Sequence, residues 1–79
     1  MPADATKIDA AGGFVMPGMI DSHVHLPSVG AAAAELQRLK DLIPFQALQG
    51  AANARTMMNA GFTTVRDVSS PGFANVAIR

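Results

Sequence analysis

Two histidines separated by one residue are the side chains in this sequence whose type and spacing best suit chemistry. His23 and His25 flank Val24, and they are the two histidines of the chain. On a strand, residues two apart point to the same face, so both imidazoles can reach one cation. Neutral imidazole suits zinc and similar divalent metals, although a catalytic zinc usually has three protein ligands. The spacing predicts half of a metal site, and the alternative interpretation is a pair of ordinary polar strand residues.

The neighbours of the histidines favour the metal interpretation. Asp21 belongs to the same predicted face, where its carboxylate can orient an imidazole or another ligand without binding the metal itself. Pro17 and Gly18 give the segment a tight entry. The chain has no cysteine, which excludes thiolate ligands and disulfides. Any further ligand must therefore come from another part of the structure.

The segment that carries the histidines, residues 19–26, alternates in polarity as a strand does. Asp21 and the two histidines share one face, and the opposite face carries the aliphatic residues Ile20, Val24 and Leu26. Such a strand is typical of a barrel enzyme. Its aliphatic face packs under helices and its polar face looks into the barrel near the carboxyl end.

The rest of the chain predicts elements that would support this strand. In order, we expect a possible short strand at 7–10, a loop at 27–30, helices at 31–43 and 45–60, a strand at 62–68 and a helix start at 73–79. Pro44 should end or kink the first helix, and Gly61 fits a left-handed cap after the second. The order of strand, helical connection and strand predicts a βαβ unit with parallel strands and a right-handed crossover.

One face of the second predicted helix is made of small residues. They recur at helical spacing and should let the helix lie close to the sheet: Ala47, Ala51, Ala54 and Met58. We expect this stripe to be the packed face.

Composition limits the kind of protein. The 79 residues are far fewer than the roughly 250 of a complete (β/α)₈ barrel. Charged residues make up 15%, against about 25% in average domains, which suggests surface that more protein covers. The formal net charge is zero and no basic run exists, so we expect no nucleic-acid partner. Neither a signal peptide nor a membrane-spanning run is recognisable, so we expect no membrane association and a cytoplasmic location.

Two motifs give the chain a family resemblance. Residues 15–26, VMPGMIDSHVHL, resemble the first-strand signature of the amidohydrolase superfamily, and residues 60–67, AGFTTVRD, resemble its second strand. Residues 3–13 are similar to the last strand of the small β-sandwich that precedes the barrel. The resemblance implies an α/β fold, with residues 1–13 ending a β-sandwich and residues 14–79 forming the first βαβ portion of a (β/α)₈ TIM barrel.

The resemblance also implies a function. The motifs look most like those of prolidase-like metallopeptidases, which cleave dipeptides or N-acyl amino acids, while imidazolonepropionase-like enzymes and cyclic amidases share them. His23 and His25 match ligands of the more buried metal, which implies one or two divalent ions, zinc first. Asp21 matches a position beside the ligands. Arg66 and Asp67 match the end of the second strand, as an ion pair or loop anchor, with substrate contact as the lesser alternative.

The family pattern needs residues that this sequence does not contain. It implies a bridging carboxylated lysine or carboxylate, two further histidines and a catalytic aspartate, which we expect beyond Arg79. The chain is thus expected to be the amino-terminal piece of a small-molecule amidohydrolase. It would be inactive alone, completed by the remainder of the barrel or a complementary chain, and a homo-oligomer when complete. The alternatives are a small non-catalytic metal-binding or interaction module and an inactive remnant.

Overall fold

The computed structural model describes residues 2–28, 30 and 42–79. Its elements are strand β1 (Met19–Val24), helix α1 (Ile43–Asn59), strand β2 (Phe62–Asp67), a 3₁₀ turn (Pro71–Phe73) and helix α2 (Ala74–Ile78). The helix predicted over residues 31–43 lies, as far as residue 41, outside the described residues. Both predicted strands are present, although β1 ends two residues earlier and β2 one residue earlier than predicted.

The two strands form a parallel two-stranded sheet, as the βαβ pattern predicts. At one end, the Met19 N–H donates to the Gly61 carbonyl at 2.9 Å, and at the other, the Val68 N–H donates to the Val24 carbonyl at 3.1 Å. Because the strands are parallel, their carboxyl ends lie at the same edge. This edge holds His25, which follows β1, and Asp67, which ends β2. The barrel and the handedness of the crossover stay predictions.

The strand pairing is irregular at two places. Met19 lies opposite Phe62 and Ile20 opposite Thr64, so β2 has one extra residue, Thr63. Asp21 then lies opposite Val65 and Val24 opposite Asp67, so β1 has one extra residue in that interval. Bulges of this kind redirect side chains and are frequent beside functional sites. The simple alternation predicted for residues 19–26 is therefore interrupted just before the second histidine.

The first turn of α1 contains the proline that the sequence places between two helices. Leu42 is extended, with φ −65° and ψ 142°, and Ile43 and Pro44 begin α1. The helix predicted over 31–43 therefore does not continue through Leu42, and the residues that Pro44 was expected to end or kink lie outside the described part of the chain as far as residue 41. Proline is tolerated in the first helical turn because the N–H groups there have no partner within the helix. At the other end, Gly61 has φ 97° and follows the capping residue Ala60, which confirms the predicted left-handed cap.

The packed face of α1 coincides only in part with the predicted stripe of small residues. Ala47 and Ala54 of the stripe are half-buried and Ala51 and Met58 are exposed. The buried residues of the helix are Gln46 and Gly50, with Asn53 half-buried beside them. Gly50 allows α1 to lie close to α2, because a Cβ at this position would lie 2.5 Å from Ile78 Cδ1. The prediction rested on the small size of alanine. In the structure, the closest contact of α1 is at Gly50, which has no side chain, and the amide side chains of Gln46 and Asn53 lie on the same face.

The apolar core is small. Among the described residues, the buried hydrophobic side chains are Val24, Leu26 and Ala74, and none is completely buried. Ile20 was expected on the covered face with Val24 and Leu26 but is 70% exposed, because no described element lies over it. The radius of gyration is 17.0 Å, where a compact domain of this length has about 12 Å. Much apolar surface therefore remains uncovered by the described chain.

The amino-terminal segment is exposed and contains no strand between residues 2 and 18, so the possible strand at 7–10 is not formed. A strand requires a hydrogen-bonding partner, and none of the described elements pairs with this segment. The segment does contain a turn, in which the Gly13 N–H donates to the Ala10 carbonyl at 2.7 Å. No helix in the part of the chain that the structure describes is long and apolar enough to span a membrane.

Candidate metal centre

The structure brings the two histidines together at the carboxyl end of β1. Their ring centroids are 5.3 Å apart and the rings meet edge to face at 75°. Both side chains are exposed, whereas Val24 and Leu26 between and after them are buried. The histidines therefore occupy the face opposite the small core, despite the bulge in the strand.

The donor set fits a divalent cation. Because zinc–nitrogen bonds are about 2.0–2.1 Å long, two imidazoles on one tetrahedral ion have ring centres roughly 5 Å apart. The observed 5.3 Å agrees with this spacing. Within residues 2–28, 30 and 42–79, no group of three or more histidine, cysteine, aspartate or glutamate side chains could hold a metal. A metal held by this pair would need further ligands from elsewhere.

Asp21 acts on the backbone of the first histidine. Its Oδ1 accepts a hydrogen bond from the His23 N–H at 3.0 Å. This bond lies within the bulged interval of β1, where the ladder is irregular. The suggestion that Asp21 orients an imidazole has no contact to support it. The half-buried carboxylate instead holds the peptide group from which the His23 side chain projects.

Asp67 joins the loops that follow the two strands. Its Oδ2 accepts hydrogen bonds from the Leu26 N–H at 3.3 Å and from the Ser70 hydroxyl at 2.7 Å. Its Oδ1 accepts from the Ser69 N–H at 3.0 Å. Arg66, in contrast, is exposed, and the described part of the chain shows no ion pair for it. Of the two structural roles expected for Arg66 and Asp67, an ion pair or a loop anchor, the described residues show the loop anchor, and it is Asp67.

Asn53, which the sequence analysis missed, holds the same loop from the other side. Its Nδ2 donates to the Leu26 carbonyl at 2.7 Å and to the Ser28 carbonyl at 2.9 Å. Its Oδ1 accepts from Gln49 Nε2 at 3.1 Å, which fixes the orientation of the amide. The available signal was an asparagine, a poor helix former, on the face of α1 that also carries Gly50. Asparagine inside a helix often has a specific hydrogen-bonding partner.

Comparison with known proteins identifies the family. The model of the Amidohydrolase family matches residues 6–62, which include β1, α1 and the beginning of β2. The chain belongs to the amidohydrolase family, and the superfamily predicted from the two motifs is confirmed.

Several curated proteins are similar to the chain over part of its length. It is 40% identical to the imidazolonepropionase of Vibrio cholerae over 48 residues, which are 61% of this chain and 12% of that protein. It is 47% identical to the enamidase of Eubacterium barkeri over 58 residues, 73% of the chain and 14% of the relative. It is 68% identical to the dihydroorotase of Syntrophotalea carbinolica over 28 residues, 35% and 7% respectively. The chain thus spans a small fraction of these relatives, and no solved structure matches it.

Proposed function

We propose that this chain contributes two metal ligands to a hydrolase that cleaves a carbon–nitrogen bond of a small-molecule substrate. The observation that carries the proposal is the approach of the His23 and His25 rings to 5.3 Å at the carboxyl end of β1. Membership of the amidohydrolase family supports the type of reaction.

The ligands would be His23 and His25, and the cofactor one or two divalent ions, with zinc as the first choice. A divalent ion held by these residues would supply Lewis-acid polarisation of the scissile carbonyl and activation of water. The remaining ligands and the group that transfers the proton would come from strands other than β1 and β2, since the described residues offer no third ligand nearby. The remainder of the barrel, or a complementary chain, would supply them.

The residues of this chain would hold and orient the two imidazoles. Asp21 fixes the peptide group of His23, and burial of Val24 and Leu26 fixes the opposite face of the strand. The parallel pairing of β1 and β2 supports residues 14–79 as the start of a TIM barrel, in which active sites form at the carboxyl ends of the strands. Residues 1–13 would end the preceding β-sandwich.

For the substrate, the motifs favour a dipeptide or an N-acyl amino acid. Imidazolonepropionase-like activity is the second candidate, because the identity to the Vibrio cholerae imidazolonepropionase is 40% over 48 residues. Assaying the full-length protein against a dipeptide panel and against imidazolonepropionate separates the two. Turnover of imidazolonepropionate with no turnover of any dipeptide would replace the first substrate class by the second.

The metal assignment is tested by His23→Ala and His25→Ala in the full-length protein. We expect each variant to lose most of its bound metal and its hydrolytic activity, because a catalytic zinc usually has three protein ligands and each substitution removes one of them. Ser22→Ala is the matched control, since Ser22 is an exposed neighbour on the same strand. Metal per protein molecule is measured by elemental analysis. Full metal content in both histidine variants would contradict the assignment.

The isolated 79-residue chain and the full-length protein together test the non-catalytic alternatives. A 79-residue chain that folds and binds zinc tightly by itself would favour a small metal-binding module. A full-length protein that binds no divalent metal and hydrolyses no substrate would favour an inactive remnant. We expect neither result, because two histidines leave the coordination of a zinc ion incomplete.

A further inference from the structure

The peptide groups on both sides of Leu26, which directly follows His25, are held by side chains from two different elements. The Leu26 N–H donates to Asp67 Oδ2 at 3.3 Å, and the Leu26 carbonyl accepts from Asn53 Nδ2 at 2.7 Å. The Leu26 side chain is itself 7% exposed, within the small core. Backbone donor, backbone acceptor and side chain of this residue are therefore all fixed.

His25 depends on this arrangement more than His23 does. β1 ends at Val24, so His25 lies outside the strand, and its carbonyl accepts the turn bond from the Ser28 N–H at 2.9 Å. Its exposed imidazole contacts the His23 ring edge to face. Because His25 is exposed among the described residues, the direction of its side chain is set mainly by the backbone that continues into Leu26.

Helix α1 is placed so that Asn53 can reach the loop. A Cβ on Gly50, three residues before Asn53, would lie 3.5 Å from Pro27 N and 3.6 Å from Leu26 C. The helix surface thus touches the loop backbone directly at the turn preceding the asparagine. One further bond, from Asn53 Nδ2 to the Ser28 carbonyl at 2.9 Å, extends the hold to the end of the turn.

We propose that Asn53 and Asp67 are positioning residues for the metal ligand His25. They act through the Leu26 backbone, one from α1 and the other from the end of β2. The proposal rests on the proposed function, since it presumes that His25 binds a metal. Partners that orient a metal ligand typically contribute 10–100-fold to metal affinity.

The test is titration of the metal-free full-length protein with Co²⁺ alone, followed by the visible absorption of the bound ion. We expect Asn53→Ala and Asp67→Ala to weaken Co²⁺ binding by about 10-fold or more and to alter the absorption spectrum, because the angle of one imidazole changes. Asp67→Asn should recover part of the affinity, since its amide oxygen can still accept from the Leu26 N–H. Asn59→Ala, the same substitution at an exposed asparagine of α1, should leave affinity and spectrum unchanged.

A purely structural role would give a different result. Lost stability lowers the fraction of folded protein, measured by thermal unfolding without metal, but leaves the affinity and spectrum of each folded molecule as in the wild type. Wild-type affinity and spectrum in folded Asn53→Ala and Asp67→Ala would overturn the proposal. If the alanine variants do not fold, Asn53→Asp decides, because it keeps the shape of the side chain but removes the donor to the Leu26 carbonyl. Weakened Co²⁺ binding supports the proposal, and wild-type binding overturns it.

The His23→Ala variant separates this proposal from the function on which it rests. A wild-type protein that binds no Co²⁺, or a His23→Ala protein that binds it equally well, would overturn the proposed function and this inference together. Binding that depends on His23 but not on Asn53 or Asp67 would overturn the inference alone.

Discussion

Asp21 and His23 illustrate how single residues prepare the candidate site. The carboxylate of Asp21 is engaged by the His23 N–H at 3.0 Å, so it is committed to the backbone. The sequence predicts that Asp21 belongs with the histidines but not which atom it contacts. The observed contact follows from proximity along the chain, because the short side chain of an aspartate readily accepts a hydrogen bond from the backbone N–H two residues on.

Gly61 is the single residue whose replacement has the most predictable cost. It has φ 97° at the end of α1, and a Cβ there would lie 3.3 Å from Met19 Cε. We expect Gly61→Ala to lower the free energy of unfolding of the full-length protein by about 1–2 kcal/mol, the penalty of a left-handed backbone for an L-residue. Chemical denaturation measures the change. An unchanged unfolding midpoint would show that the backbone at this position relaxes without cost.

At the scale of elements, Gly18, which directly precedes β1, packs against the bulge in β2. A Cβ built on Gly18 would overlap the side chain of Thr63, the extra residue of β2. We expect Gly18→Ala to destabilise the full-length protein by about 1–3 kcal/mol through overpacking.

A second substitution distinguishes overpacking from a backbone effect at Gly18. Thr63→Gly removes the overlapping atoms, so the double variant should recover part of the stability lost in Gly18→Ala, measured as a double-mutant cycle. Additive losses in the double variant would mean that the two positions do not compete for space.

Local signals predicted much of the fold, whereas long-range contacts decided what was missed. Strand β1, the helix after Pro44 and the cap at Gly61 follow from alternation, helix propensity and a single glycine. The two bulges could not be predicted, because they depend on how β1 and β2 fit side by side. The packed face of α1 depends on Asn53 bonding a loop 25–27 positions earlier in the chain. Half of the candidate site, the histidines, was predictable, and the side chains that hold their backbone were not.

At the scale of the whole molecule, the described chain leaves many more large hydrophobic side chains exposed than buried. Large hydrophobic side chains are exposed throughout, including Phe14, Val15, Leu48 and Phe73, whereas the buried apolar residues number three. Exposed apolar patches of this kind usually mark surfaces that contact other protein. This supports the proposal that further strands and helices cover β1, β2 and α1.

The isolated 79-residue chain should therefore behave differently from the full-length protein. We expect it to bind a hydrophobic fluorescent dye strongly, to show little amide protection in residues 2–18, and to hydrolyse no substrate, because the core of the described residues is too small to order that segment. Dye fluorescence and hydrogen exchange measure this. A cooperative unfolding transition with protected amides throughout residues 2–18 would contradict it.

The two bulges have opposite senses and cancel. The paired strands have the same number of residues from Met19 to Val24 and from Phe62 to Asp67, although the pairing register shifts by one residue in between. The histidine end of one strand and the aspartate end of the other consequently finish level. Deleting one residue from a single strand would move these ends apart by about 3.3 Å, the rise of one strand residue. Changes of length in β1 and β2 should therefore be tolerated only in matched pairs.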